Sequence, residues 1–165
     1  MKKVEIRAVV ITVSDRSARG EQEDVSGEML VKLLKESGAQ LVATEIVSDD
    51  LAPLAEKLCF YADRSDVNLI VTTGGTGFSP RDNTPEATRA VIQKEASGLS
   101  EAMRLKTLGK TPLAMLSRGV CGIRSEALII NLPGSPKGVR ESFAVIKPVL
   151  HHAVALLAGK PHDEA

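Results

Sequence analysis

Apolar residues occur in short runs separated by polar turns, and their spacing changes from run to run. Residues 4–13 (VEIRAVVITV) are rich in Val and Ile and end in a polar turn, which predicts a β-strand. Residues 14–24 read as a polar loop carrying Gly20. Asp24 is placed to cap a helix in which Met29, Leu30, Leu33 and Leu34 share one face, with Gly38 where it should stop. A second strand is expected over 40–47. A helix follows over 51–63, with Leu51, Leu54, Ala55 and Leu58 on its apolar side.

Residues 66–73 (DVNLIVTT) read as a short strand whose consecutive Leu69, Ile70 and Val71 suit coverage on both faces. After the segment GGTGFSPRDN, Thr84 is a good N-cap, Pro85 suits the first helical position and Glu86 complements the helix dipole. Helices are expected over 85–94 and 98–108, and strands over 112–117 and 126–131 around a turn containing Gly119 and Gly122. The loop of residues 133–136 leads into a helix near 137–146. Pro148 interrupts that helix or starts another, reaching about residue 158.

Strand–helix alternation over the whole length predicts an α/β fold, a three-layer sandwich with a mainly parallel sheet. The length of 165 residues suits one domain, taken as 1–160 with a polar tail at 161–165. In such sheets the ligand sits beyond the carboxyl ends of the strands. The loops after the strands ending near Val13, Thr73 and Asn131 should therefore meet at the site.

Composition narrows the function. Aromatic content is 2% with no Trp, so the core must be aliphatic, and ring stacking on single-stranded nucleic acid is disfavoured. Lys plus Arg equals Asp plus Glu at 21 each, which provides no long-range attraction to nucleic acid or an anionic membrane. Cys59 and Cys121 are isolated thiols, outside any disulfide framework or zinc motif, and Cys121 falls in a predicted turn. His151, His152 and His162 read as solvated or packed side chains. The opening residues do not form a signal peptide, and no apolar run reaches the roughly 18 residues of a bilayer span. A cytoplasmic protein is expected.

Three segments carry candidate chemistry. In the first, Gly74, Gly75, Thr76 and Gly77 follow a buried strand and lead toward a helix. Glycines there allow close backbone approach, and their N–H groups can form an anion nest. The segment is neither a Walker A loop nor GxGxxG. Asp82 beside such a cradle would repel phosphate unless it held a cation, for which Mg²⁺ is the natural choice. The second segment places Ser14, Asp15 and Arg16 at the end of the first strand. The third, Asn131 to Lys137, is stiffened by Pro133 and Pro136 and admits close approach at Gly134, next to Ser135. Asp49 and Asp50 by themselves read as a helix cap, and Ser117 with Arg118 as surface.

The combination TVSDRSARG at 12–20, TTGGTGFSPRDNTPEAT at 72–88, AMLSRGVCGIR at 114–124 and LIINLPGSPKGV at 128–139 resembles the molybdopterin adenylyltransferase family. These are the MogA/MoaB-like proteins, related to the gephyrin G domain and the plant Cnx G domain. The resemblance implies a molybdopterin-binding α/β domain, usually trimeric. It implies AMP transfer from ATP to the terminal phosphate of the pterin, with Mg²⁺ and release of pyrophosphate. It assigns catalysis and metal binding to Asp82 and to the acidic position after the second strand. Ser48 stands where the family often has Pro, so Asp49 and Asp50 both compete for that position, with Asp49 favoured. Ser14, Asp15, residues 74–77, Ser117, Arg118, Asn131, Pro133, Gly134, Ser135 and Pro136 would bind the two substrates. A homotrimer is expected, with Val149, Leu150, Val154 and Leu157 available as contact surface, and a separate molybdenum-insertion protein is an expected downstream partner. The alternatives are a MoaB-like protein that binds molybdopterin without efficient adenylylation, and a generic nucleotide-binding scaffold module.

Overall fold

The first strand buries every residue from Ala8 to Val13, as a strand covered on both faces must. It belongs to a computed structural model that describes residues 4–160. The strands are β1 (Arg7–Val13), β2 (Gln40–Val47), β3 (Leu69–Thr73), β4 (Lys94–Glu95), β5 (Cys121–Arg124) and β6 (Ala127–Leu132). They form one sheet in the order β2-β1-β3-β6-β5-β4. The first four in that order are parallel, and β5 and β4 add antiparallel at the β6 edge. The helices are α1 (Asp15–Ala18), α2 (Val25–Glu36), α3 (Leu51–Ala62), α4 (Thr84–Val91), α5 (Ser97–Leu108), α6 (Pro136–Ile146) and α7 (Leu150–Leu157).

Side-chain alternation along β1 explains the three layers. Ala8 and Val10 face a cluster built on Leu30, Leu34, Val139, Phe143 and Ile146, from α2 and α6. Val9, Ile11 and Val13 face the opposite cluster with Leu54, Leu58, Ala87 and Val91, from α3 and α4. Both cores are chiefly aliphatic, as the composition required. Among the described residues no helix is long and apolar enough to cross a membrane.

Several local expectations are corrected. The run Pro112–Leu116 is a 3₁₀ turn and not a strand. Thr111 caps it by accepting from the Leu113 N–H, and Leu113, Met115 and Leu116 stay exposed. The strand lies later, at β5, where a turn was expected. Cys121 is its first, buried residue and not a turn residue. Gly122 pairs with Glu95 and Ile129 in this strand, and the Ile92 side chain packed over it leaves no room for a Cβ. The helix expected over 85–94 ends at Val91, since Lys94–Glu95 is drawn to the sheet edge against β5. The loop after β1 contains the short helix α1, capped by Ser14 accepting from the Ser17 N–H. The remaining shifts at element ends are small: β3 begins at Leu69, β6 spans Ala127–Leu132 and α3 ends at Ala62.

The C-terminal contact surface is also revised. Leu150 and Val154 lie in the chain's own core, Leu157 packs against it, and Val149 alone of the four is exposed. His151 packs between elements, with ring nitrogens near the Val4 and Ser37 carbonyls. The tail 161–165, with His162, lies outside the described residues.

Candidate active site

The chain leaves β1 toward β2 on one side and returns to β3 on the other, so the sheet changes direction between β1 and β3. A crevice opens at such a point beyond the carboxyl ends of the strands. Three loops meet there. The Ser14 N–H donates to the Val47 carbonyl at 2.9 Å, and the Gly74 N–H to the Leu132 carbonyl at 3.2 Å. Thr73 Oγ1 donates to the Pro133 carbonyl at 2.7 Å, and Ser26 Oγ to the Gly134 carbonyl at 2.6 Å.

Gly74 and Gly75 have φ of +102° and +68°, the left-handed region that glycine adopts without strain. A Cβ on Gly74 would strike the Val13 carbonyl, and one on Gly75 would strike Thr84 Oγ1. Thr84 is not the N-cap, a position held by Asn83. Its fully buried hydroxyl instead donates to the Gly74 carbonyl at 2.8 Å and ties the glycine turn to α4. The Gly74 N–H and carbonyl are thus both used internally. The stretch from Gly75 through Thr76 to Gly77 lies on the wall of a cavity of about 670 Å³. Asp82, Ser117, Asn131, Pro133, Gly134 and Ser135 also line this cavity. Phe78, Met103, Leu113 and Leu116 supply apolar wall. Pro136 stands behind it as the first residue of α6, which Ser135 caps by accepting from the Gly138 N–H.

The two acidic positions flank this turn. Asp49 Oδ1 lies 3.3 Å from the point a Gly75 Cβ would occupy, and Asp82 Oδ2 lies 2.9 Å from the same point at Gly77. Asp49 Oδ2 accepts from the Asp15 N–H at 2.8 Å. Burial pushes the Asp49 carboxyl above its ordinary value, against that hydrogen bond, and the charges of Asp15 and Asp82 add to the rise. Asp50 points elsewhere, to Arg81 and to Ser48. Asp82 Oδ2 accepts from the Ser79 N–H at 3.0 Å.

Several residues expected to bind substrate are occupied by the protein itself. Ser14 Oγ caps α1, and both Asp15 oxygens accept from Arg81, which brings the Asp15 carboxyl down to about 2. Arg118 is no idle surface residue. Its guanidinium donates to the Gly77 carbonyl at 2.8 Å, to the Asp82 carbonyl at 2.9 Å and to the Glu86 carboxylate, while its N–H donates to the Thr76 carbonyl. It therefore shapes the cradle from behind. Asn131 is buried. Its amide donates to Thr72 and Thr88 hydroxyls and accepts from the Val120 N–H, each at 3.0 Å. Sequence reasoning missed Arg81, Asn83, Thr84 and Glu86 as parts of this construction, and also Arg104, which lines the cavity and donates to the Gly119 carbonyl at 3.0 Å. The RDNTPE run held a signal for four of them, because charged and amide side chains crowd just after a glycine turn.

Residues 9–152 match the family described as "Probable molybdopterin binding domain". The chain is similar to the molybdopterin adenylyltransferase of Helicobacter pylori strain J99. The two are 41% identical over 152 residues, covering 91% of this chain and 86% of the relative. It is 44% identical over 149 residues to the molybdenum cofactor synthesis protein cinnamon of Drosophila melanogaster. That match covers 90% of this chain but spans only 25% of cinnamon. Among solved structures, the molybdopterin biosynthesis enzyme MoaB of Thermus thermophilus superposes with a TM-score of 0.88. It is 48% identical, and the match covers 94% of this chain and 98% of that one.

Proposed function

The chain belongs to the molybdopterin-binding domain family, and from that premise we propose that it is a molybdopterin adenylyltransferase acting in molybdenum cofactor biosynthesis. One observation carries the reading. Two carboxylates, Asp49 and Asp82, stand on either side of a glycine turn shaped to receive an anion. Carboxylates beside a phosphate cradle suit a phosphoryl-transfer site in which a cation is shared between protein and substrate.

The donor set fits Mg²⁺. Two carboxylates that leave room for water and phosphate oxygens are what Mg²⁺ takes in nucleotide sites. A cation there would offset the burial that raises the Asp49 carboxyl, together with the lesser push from the Asp15 and Asp82 charges. Asp49 and Asp82 would hold it, and when bound it supplies charge neutralisation at the α-phosphate of ATP and the departing pyrophosphate.

The protein's own groups position the reactants. The backbone from Gly75 to Gly77, held open by Arg118 and Thr84, cradles phosphate oxygens. The cavity, with Phe78, Met103 and Leu116 on its apolar wall and Ser117 and Ser135 at its rim, holds a flat, polar-edged ring. An oxygen of the pterin phosphate attacks the α-phosphorus of ATP, a new phosphoanhydride forms, and the bond to the β-phosphate breaks to release pyrophosphate. The substrate is itself the nucleophile, so no activated Ser or Cys is needed.

The decisive experiment incubates the protein with molybdopterin and Mg-ATP and quantifies adenylylated pterin and pyrophosphate together. Equal amounts of both products are expected. Molybdopterin bound without AMP transfer would favour the second reading, a protein that binds molybdopterin without efficient adenylylation. A cytoplasmic homotrimer, handing adenylylated pterin to a separate molybdenum-insertion protein, completes the proposal. Leu105, Leu113 and Met115 are exposed apolar side chains available to a subunit contact. Light scattering that shows a monomer at micromolar concentration would remove the trimer.

A further inference from the structure

Asp49 is gripped at more points than a metal ligand on a loose loop would need, and the grip comes from two other loops. Its N–H donates to Asp15 Oδ1 at 3.0 Å, and its Oδ2 accepts from the Asp15 N–H at 2.8 Å. Its carbonyl accepts from Asn83 Nδ2 at 3.0 Å. This leaves Oδ1 as the oxygen on the Gly75 side. The far end of the arrangement is Arg81. Its Nε and Nη2 take the two oxygens of Asp15 at 3.0 and 2.9 Å, and Nη2 also lies 2.9 Å from Asp50 Oδ1.

An exposed ion pair contributes little by itself. This one differs in three respects. The guanidinium meets Asp15 through a planar fork, which fixes the orientation of the carboxylate as well as its charge. The same Asp15 oxygen that accepts from Arg81 Nη2 accepts from the Asp49 N–H, so the two contacts share one atom. Arg81 also takes up the carboxylates of both Asp15 and Asp50, the two acidic neighbours of Asp49 in this loop cluster.

We propose that Arg81 is a positioning residue for Asp49, acting through Asp15: the Arg81–Asp15 fork holds the loop after β2 so that Asp49 presents Oδ1 to the glycine cradle. The inference rests on the proposed function for the use to which Asp49 is put, but its geometry does not. A group that orients a metal-binding carboxylate sets metal affinity, and its loss commonly costs about 10- to 100-fold.

The test measures Mn²⁺ binding by electron paramagnetic resonance, in the presence of a non-hydrolysable ATP analogue, for wild type, Arg81→Ala, Arg81→Lys and Asp15→Asn. Molybdopterin affinity and the Mg²⁺ dependence of transfer are measured in parallel. Arg81→Ala should weaken Mn²⁺ binding about 10-fold or more and raise the Mg²⁺ needed for half-maximal transfer by the same factor. Molybdopterin affinity and the rate at saturating Mg²⁺ should change little. Arg81→Lys, which keeps the charge but not the fork, should fall between. Arg81→Ala combined with Asp15→Asn should be no worse than the weaker single variant, because both break one chain of contacts. Unchanged Mn²⁺ affinity in Arg81→Ala, or additive losses in the double variant, overturns the proposal. Should Arg81→Ala fail to fold, Arg81→Lys and Asp15→Asn decide by the same criterion. A wild type that binds Mn²⁺ with the expected sensitivity to Arg81 yet transfers no AMP would sink the adenylyltransferase reading and leave the positioning role standing. A wild type that binds no Mn²⁺ overturns both.

Discussion

Replacing Gly75 by Ala tests the central geometry of the site. Two penalties are readable from the structure. The residue sits at φ +68°, and an L side chain in the left-handed region costs about 1–2 kcal/mol. The new methyl also meets Thr84 Oγ1, which is fully buried and donates to the Gly74 carbonyl at 2.8 Å. Displacing that hydroxyl breaks the bond and leaves the carbonyl unsatisfied, at a further cost of about 1–3 kcal/mol. The sum of about 2–5 kcal/mol is smaller than the usual stability of a domain, so the variant should fold. Its Tm should fall by roughly 4–20 °C, at about 2–4 °C per kcal/mol for a chain of this size. The methyl also stands 3.3 Å from Asp49 Oδ1, between that carboxylate and the cradle. Transfer should therefore drop by about 10²-fold, the cost of an ångström-scale misplacement. Gly38→Ala serves as the control. It shares a positive φ of +81° but has nothing within 4 Å of a Cβ, so it should show the backbone penalty alone with full activity. Thermal melts and the adenylylation assay read both effects. A Gly75→Ala protein with the melting point of Gly38→Ala and wild-type transfer would show that residue 75 does not stand between Thr84 and Asp49.

Asp82→Asn keeps size but removes charge, so it should bind molybdopterin nearly as wild type does while losing about 10²–10³ in transfer rate; equal rates would make Asp82 structural. Asn131→Ala removes the partner of the Val120 N–H and of the Thr72 and Thr88 hydroxyls. Urea unfolding should show a loss of about 3–5 kcal/mol, whereas a loss under about 1 kcal/mol with weakened molybdopterin binding would make Asn131 a substrate contact instead. Tyr61 is the sole tyrosine in a chain without Trp, so tyrosinate absorbance reports it alone. Burial and its hydrogen bond to Glu45, at 2.7 Å, push its hydroxyl up to about 12. Because the folded value is raised, the stabilisation is complete below the ordinary value of 10.0 and is lost as pH climbs through about 12. Glu45→Gln should lower the midpoint in the native protein, and a native midpoint at the ordinary value would refute the buried contact.

Much of this protein was legible along the chain. The Val- and Ile-rich run ending at Val13 announced a strand, the consecutive Leu69, Ile70 and Val71 announced one covered on both faces, and the two lie side by side in the sheet. The glycine turn after β3 was marked by residue type alone, since the positive φ at Gly74 and Gly75 favours glycine locally. Other features had no local signature. Asp49 and Asp50 are neighbours of identical chemistry, and only the packing of the loop after β2 against Asp15 turns the first toward Gly75 and the second toward Arg81. Arg118 read as surface because its partners, Thr76, Gly77, Asp82 and Glu86, lie more than 30 residues away. The apolar run 112–116 resembled a strand, but Pro112 and the Thr111 cap wound it into a 3₁₀ turn, and Gly122 looked like a turn residue but pairs in β5 with Glu95 and Ile129. Leu150 and Val154 looked available to a partner and proved to be core, because apolarity does not say which surface will cover a residue. Periodicity records how one element divides its faces between core and solvent. The meeting of Asp15 with Arg81, 66 residues apart, depends on strand order, which is set by the packing of the whole sheet.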